Sequence, residues 1–149
     1  MEAALEPRIV ALCCNCCSYA GADLAGVSRI QYRPSIRIVR VMCSGMIHPN
    51  LVIEALTGGA DGVLVCGCHP GDCHYQEGNY KTLRRFHLLR RVLREMGIEE
   101  DRFRLEWISA SEGDRLKTAV NDMVEKVRAL GPLRLAPPKE EVVAEEVAV

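Results

Sequence analysis

The sequence predicts an α/β fold, a single doubly wound and mainly parallel sheet of four strands with helices on both faces. Three observations carry this. Four short apolar runs have strand character, each is followed by a stretch of helical periodicity, and the links between them are short enough to leave little choice but right-handed crossovers.

The first unit opens with Arg8–Leu12 (RIVAL), an apolar, β-branched run ending at Cys13; apolar residues then recur at Leu24, Val27 and Ile30, predicting a helix over Ala20–Gln31. The second strand is Ile36–Met42 (IRIVRVM), rich in β-branched residues. After Cys43-Ser44-Gly45, Pro49 opens a helix whose apolar face is Leu51, Val52, Ala55 and Leu56, and Gly58-Gly59 stops it. The third strand, Gly62–Val65, runs into the glycine-rich segment CGCHPGDCHYQEGN. Tyr80–Met96 reads as a long helix with Leu83, Phe86, Leu89, Val92 and Met96 inward, closed by Gly97. In the fourth unit, Phe103, Leu105 and Trp107 alternate as a strand. Ser109 and Glu112 have the spacing of a capping box before a helix built on Leu116, Val120, Met123, Val124 and Val127, and Gly131-Pro132 ends it. The whole is flavodoxin-like or Rossmann-like. The expected organisation is an N-terminal extension over 1–7, one α/β domain carrying the chemistry over 8–131, and an acidic tail over 132–149 that is mobile or held by a partner.

At 149 residues the chain can bury a core of its own, and 48% hydrophobic with 26% charged residues is ordinary for a water-soluble domain. No apolar run approaches the roughly 18 residues of a membrane span, and the first seven residues carry two glutamates and no basic start, so neither a membrane anchor nor a secretory leader is expected. These features predict a cytoplasmic protein. A net charge of −1 gives no general attraction to nucleic acid or acidic lipid. No G-x-G-x-x-G or Walker run follows the first strand, which speaks against a nucleotide.

Eight cysteines are many for this length: Cys13, Cys14, Cys16, Cys17, Cys43, Cys66, Cys68 and Cys73 fall in three bursts, with none after residue 73. A disulfide framework suits a secreted chain short of core, whereas clustered thiols in a reducing compartment suggest metal or redox chemistry. Each burst follows a predicted strand. In a parallel sheet those three places share the carboxyl edge, where open α/β sheets bind ligands and where helix N-termini favour negative charge. The candidate ligands are Cys14 and Cys17 as C-x-x-C, Cys43 alone, and Cys68 and Cys73 as C-x-x-x-x-C, five thiols for four places. Four thiolates suit an iron–sulfur cluster or zinc. A thioredoxin-like dithiol at Cys14 and Cys17 is a third reading, which leaves the other thiols without a task.

Four long motifs, CCNCCSYAGADLAG, RVMCSG, GADGVLVCGCHPGDCHYQEGNYK and LEWISASEG, resemble the delta subunit of methyl-viologen-reducing hydrogenase over about residues 8–130. That resemblance implies a [2Fe-2S] cluster and an electron-transfer role. Electrons would pass from a hydrogenase, or a formate dehydrogenase in its place, to the flavin-containing subunit of heterodisulfide reductase. By motif, the family's cysteines fall on Cys14, Cys17, Cys43, Cys68 and Cys73, leaving Cys13, Cys16 and Cys66 as extras. Cys16 stands where the family often has tryptophan.

His69 and His74 flank Cys73 and are expected to donate hydrogen bonds to sulfur or simply to cap the loop; a Rieske-like pair on one iron is the rarer alternative. His48 should open the helix at Pro49, and Trp107 should be core. Lys81, Arg84, Arg85, Arg90, Arg91 and Arg94 make the third helix cationic, a solvated face or a dock for an acidic protein.

Overall fold

The computed structural model describes residues 6–135. Its elements run β1 (Ile9–Cys14), α1 (Ser18–Val27), β2 (Ile36–Val41), α2 (Pro49–Thr57), β3 (Gly62–Gly67), α3 (Gly78–Glu95), β4 (Phe103–Trp107) and α4 (Gly113–Leu130), with short 3-10 turns at Ser44–Met46 and Glu100–Arg102. The four strands form one parallel sheet in the order β2-β1-β3-β4. The doubly wound α/β expectation holds. Most of the acidic tail, residues 136–149, lies outside the described residues, as do residues 1–5.

Strand alternation sorts the core into two layers. Ile9, Ala11 and Cys13 of β1 and Leu64 and Cys66 of β3 point to the α4 side, where Leu116, Val120, Met123, Val124 and Val127 meet them. Leu12, Val63 and Val65 point the other way, onto Val52 and Leu56 of α2 and Leu89 and Leu93 of α3. All six residues of β3 are buried, which is why that strand reads as an unbroken apolar run.

Three helices differ from the sequence reading: in α2, Leu51 of the expected inward face is exposed and Ile53 packs on the core instead. α1 starts earlier and ends earlier than Ala20–Gln31, and it buries Ser18, Gly21, Ala22 and Ala25, while Leu24 and Val27 face solvent. The cause is close packing on α4. A Cβ on Gly21 would lie 2.8 Å from the Ser109 carbonyl oxygen, and one on Gly113 would lie 3.1 Å from the Ala25 nitrogen. Only small residues fit there. In α3 the inward line is Thr82, Leu89 and Leu93 with Phe86 half-buried, whereas Val92 and Met96 are exposed together with Leu88. Apolar residues lie on both sides of this helix, so periodicity alone chose the wrong phase for Val92 and Met96. β1 and β3 also run one to two residues further than expected, which makes Cys13, Cys14 and Cys66 part of the strands.

The edge of the sheet opposite the thiols is tied by a buried arginine that no sequence pattern announced. Arg102 is 1% exposed; its Nη1 donates to the Asp61 carbonyl at 3.0 Å, its Nη2 to the Gly131 carbonyl at 2.9 Å, and its Nε to the Glu99 carboxylate at 2.6 Å. Asp61 in turn accepts from the backbone N–H groups of Arg8 and Leu133. Arg102→Leu should therefore strand the buried Asp61 carbonyl and the partly buried Gly131 carbonyl and cost about 2–4 kcal/mol, read as a lower urea midpoint at unchanged slope.

Candidate metal centre

The strands deliver the five expected thiols to one place. Cys14 closes β1, Cys17 precedes α1, Cys43 lies two residues past β2, Cys68 follows β3 directly, and Cys73 sits in the loop before α3. Cys14, Cys43, Cys68 and Cys73 form a buried cluster with Cys16 and Cys17 partly buried against it. The sulfurs approach in pairs: Cys14 Sγ is 3.6 Å from Cys68 Sγ, and Cys43 Sγ is 3.9 Å from Cys73 Sγ. Cys17 lies within hydrogen-bonding reach of Cys68. Among the described residues no group of three or more His, Cys, Asp or Glu side chains is set to hold a single metal ion. The arrangement is one of pairs.

Cys13 and Cys66 are register partners on β1 and β3 and are fully buried in the α4-side core, so these two turn away from the cluster. Cys16 takes a rim position.

Backbone N–H groups surround the sulfurs. Ser18 N–H donates to Cys14 Sγ at 3.4 Å and Gly45 N–H to Cys43 Sγ at 3.4 Å. Burial pushes the Cys43 thiol up, and burial followed by the neighbouring Cys17 and Cys14 pushes Cys68 well up. Burial also raises Cys73, but the N–H groups of Tyr75, Asn79 and Gly78 and the Cys43 thiol together outweigh it and hold Cys73 below its ordinary value. The start of α3 is thus aimed at this sulfur, as expected where negative charge is to be stabilised.

Glycines make the approach possible. A Cβ on Gly78 would lie 2.3 Å from Cys43 Sγ and 3.0 Å from Cys73 Sγ, and one on Gly45 would lie 2.7 Å from Gly78 backbone. Asn79, 1% exposed, donates through Nδ2 to the carbonyls of Cys68 at 3.3 Å and His69 at 2.9 Å, while its Oδ1 is buried without a hydrogen-bond partner among the described residues. Thr82 Oγ1 donates to Ser44 Oγ at 2.9 Å, joining α3 to the turn after Cys43. The sequence reading passed over Asn79, Ser18 and Thr82. The only signal was Ser18 beside Cys17, because a polar residue in a loop or first helical turn is usually a cap.

The histidines have other partners than sulfur. His69 Nε2 pairs with Glu112 Oε2 at 2.6 Å, and the His74 ring stands edge-on to Tyr75. Glu112 also accepts from Ser109 N–H at 2.8 Å, one half of the expected capping box; the Ser109 hydroxyl goes to Ser111 instead. The Ser109 N–H first and His69 second hold the Glu112 carboxyl down at about 2. A carboxylate held below its unfolded value contributes stability above that value and loses it as pH falls toward the folded one. Glu112→Gln should therefore narrow the difference in melting midpoint from the parent as pH drops from about 4.5 to about 2, measured on both proteins stripped of metal.

His48 caps α2, its Nδ1 accepting from Asn50 N–H at 3.2 Å. Trp107 is half-buried, its ring against Gly67, where a Cβ would lie 2.8 Å from it. The cationic helix is partly spoken for: Arg85 donates to the carbonyls of Gly45 and Ile47, and Arg90 and Arg94 both pair with Glu100.

An all-sulfur donor set in two pairs fits a binuclear cluster. Metal–thiolate bonds of about 2.3 Å at the tetrahedral angle place two sulfurs about 3.8 Å apart, close to both observed separations. A two-iron cluster takes four cysteines, and hence two on each iron. Cys43 and Cys68, whose thiols burial raises, would release their protons to solvent on binding a metal cation, so binding and deprotonation would be coupled.

The chain is similar to known proteins that are named as iron-sulfur subunits. The family of methyl-viologen-reducing hydrogenase delta subunits matches residues 9–131. The iron-sulfur subunit of the vhc F420-non-reducing hydrogenase of Methanococcus voltae is 58% identical over 130 residues, spanning 87% of this chain and 90% of that protein. The iron-sulfur subunit of the F420-non-reducing hydrogenase of Archaeoglobus profundus is 54% identical over 129 residues, 87% of this chain and 94% of that protein. One subunit of the Ferredoxin/F(420)H(2)-dependent CoB-CoM heterodisulfide reductase of Methanosarcina acetivorans is 49% identical over 127 residues, 85% of this chain but 16% of that much longer protein.

Proposed function

Since the chain belongs to the family of methyl-viologen-reducing hydrogenase delta subunits, we propose that it is an electron-transfer subunit holding a [2Fe-2S] cluster. The cluster would carry single electrons from a hydrogenase, or a formate dehydrogenase in its place, to the flavin-containing subunit of heterodisulfide reductase. The observation that carries this reading is the pairing of Cys14 with Cys68 and Cys43 with Cys73 at the carboxyl edge of the sheet, at 3.6 and 3.9 Å.

Cys14 and Cys68 would hold one iron and Cys43 and Cys73 the other. Cys17 is then the fifth thiol, beside Cys68 and able to hydrogen-bond its sulfur. The N–H groups of Ser18, Gly45 and the first turn of α3 lower the cost of the cluster's negative charge, and Asn79 pins the loop that joins Cys68 to Cys73. Two relatives support the partners: the Methanococcus voltae protein belongs to a hydrogenase, and the Methanosarcina acetivorans protein belongs to a heterodisulfide reductase and carries a homologous stretch within its own chain. The described residues contain no helix long and apolar enough to cross a membrane, which is compatible with the cytoplasmic location this role implies.

The test is iron and acid-labile sulfide on anaerobically purified protein, with visible and low-temperature EPR spectra before and after dithionite. About two irons and two sulfides per chain, with a signal appearing on reduction, is the expected result. Zinc without sulfide, repeated after reconstitution, sinks the reading in favour of a structural metal.

A further inference from the structure

We propose that the hollow above the Cys43 thiol is the docking place of a redox protein whose contact surface is apolar at its centre and ringed by carboxylates, so that electrons cross on the Cys43–Cys73 side of the centre. This rests on the electron-transfer reading above.

Met42, Met46 and Tyr75 are 53%, 67% and 51% exposed. With Cys43 and Lys81 they line one open depression of about 370 Å³. Single exposed apolar residues are ordinary, but three large ones gathered over a buried thiol and bordered by a charge have the anatomy of an interface core with a polar rim. Methionine suits such a surface because its flexible thioether adapts to a partner's shape. On the Cys14–Cys68 side Ser18 is buried, bonded to the Ile108 carbonyl, and the His69–Glu112 pair closes the loop against the start of α4.

Charge chooses the partner. Lys81 and, one turn along α3, Arg84 are exposed, and neither has a carboxylate within ion-pairing distance among the described residues. Arg90 and Arg94 share the single carboxylate of Glu100 farther along the helix, whereas Lys81, with Arg84 one turn on, stands unpaired among the described residues at the depression itself. A partner with carboxylates around an apolar contact satisfies both features, and complementary charge steers association and fixes orientation. The transfer is of one electron at a time between that protein and the centre, with no bond made or broken.

The experiment uses the intact native complex. Met46 is replaced by the photo-crosslinker benzoylphenylalanine, and Val27, which is 84% exposed on α1, is replaced likewise as control. The expected result is a crosslink from position 46, absent from 27, to a flavin- or iron–sulfur-bearing chain on a peptide rich in aspartate and glutamate. A crosslink to a second copy of this chain, to its own residues 136–149, or to a chain without a redox group overturns the proposal, as does the absence of any crosslink. Met46→Asp and Lys81→Glu should each slow electron transfer through the complex about tenfold, the latter with weakened salt dependence, while Val27→Asp does not. Iron, sulfide and EPR of the isolated variants should match the parent. If the parent itself holds no iron, the electron-transfer reading fails; if the iron is present and both variants transfer normally, the docking inference fails alone.

Discussion

Cys14→Ala, Cys43→Ala, Cys68→Ala and Cys73→Ala should each lower iron and sulfide per chain by about tenfold or more, while Cys13→Ala and Cys66→Ala leave both close to the parent values. The contrast follows from which way each thiol points. Cys13 and Cys66 are fully buried against the α4 side of the sheet, and their loss removes a small apolar side chain from a packed core. Their variants should be less stable by about 1 kcal/mol and otherwise intact. Removing one member of a sulfur pair leaves an iron with a single protein ligand from its own pair. Cys17→Ala separates the fifth thiol from the other four. It should keep its iron but shift the visible and EPR spectra, because the thiol that neighbours Cys68 sulfur is gone. Equal cluster loss in Cys17→Ala and retention in Cys14→Ala would overturn the pairing and put Cys17 in its place. Iron analysis on all seven variants, purified side by side under argon, decides between these outcomes.

The gathering of thiols was legible in the sequence because it needs only the order of the elements. Once RIVAL, IRIVRVM and GVLV are parallel strands, Cys14, Cys43 and Cys68 must end at one edge, whatever the side-chain detail. α4 was equally legible: its inward residues repeat at Leu116, Val120, Met123, Val124 and Val127, and all five are buried. What escaped depends on contacts between distant residues. Arg102 reads as a surface arginine until Asp61 and Gly131 are seen to bring buried carbonyls to its guanidinium. The α1 face read as Leu24 and Val27 until Gly21 and Gly113 are seen to bring two helices close enough to exclude large side chains. His69 and His74 could be read as donors to sulfur or as loop caps from adjacency in the chain, but the partner of His69, Glu112, lies forty-three positions away. Periodicity reports the local face of an element, and it carries no information about a neighbour that arrives from elsewhere.

Gly78→Ala should abolish the centre as completely as loss of a cysteine, although it removes no ligand. The added methyl would sit 2.3 Å from Cys43 Sγ and 3.0 Å from Cys73 Sγ, inside the space that one sulfur pair occupies. The clash has no soft neighbour. Cys43 is held by the Gly45 N–H, and Gly45 itself packs on Gly78 backbone so closely that neither residue tolerates a side chain. Relief requires the start of α3 to move away from the turn after β2, which withdraws from Cys73 the N–H groups of Gly78 and Asn79 and breaks the Thr82–Ser44 bond. Alanine is the better helix former, so in an ordinary first turn the substitution would be neutral or stabilising. The opposite sign is therefore diagnostic of the sulfur cradle. The expected result is a variant with little iron and sulfide after reconstitution but a far-ultraviolet circular dichroism spectrum like the parent's, since the sheet and the two apolar layers do not depend on this contact. Gly71→Ala supplies the comparison: its positive φ of 93° strains a side chain, but nothing lies within 4 Å of the added Cβ. It should lower stability by about 1 kcal/mol and retain the iron. Full iron content in Gly78→Ala would mean that Cys43 and Cys73 can hold a cluster with α3 displaced, and the Cys43–Cys73 pair would then lose its claim to an iron of its own.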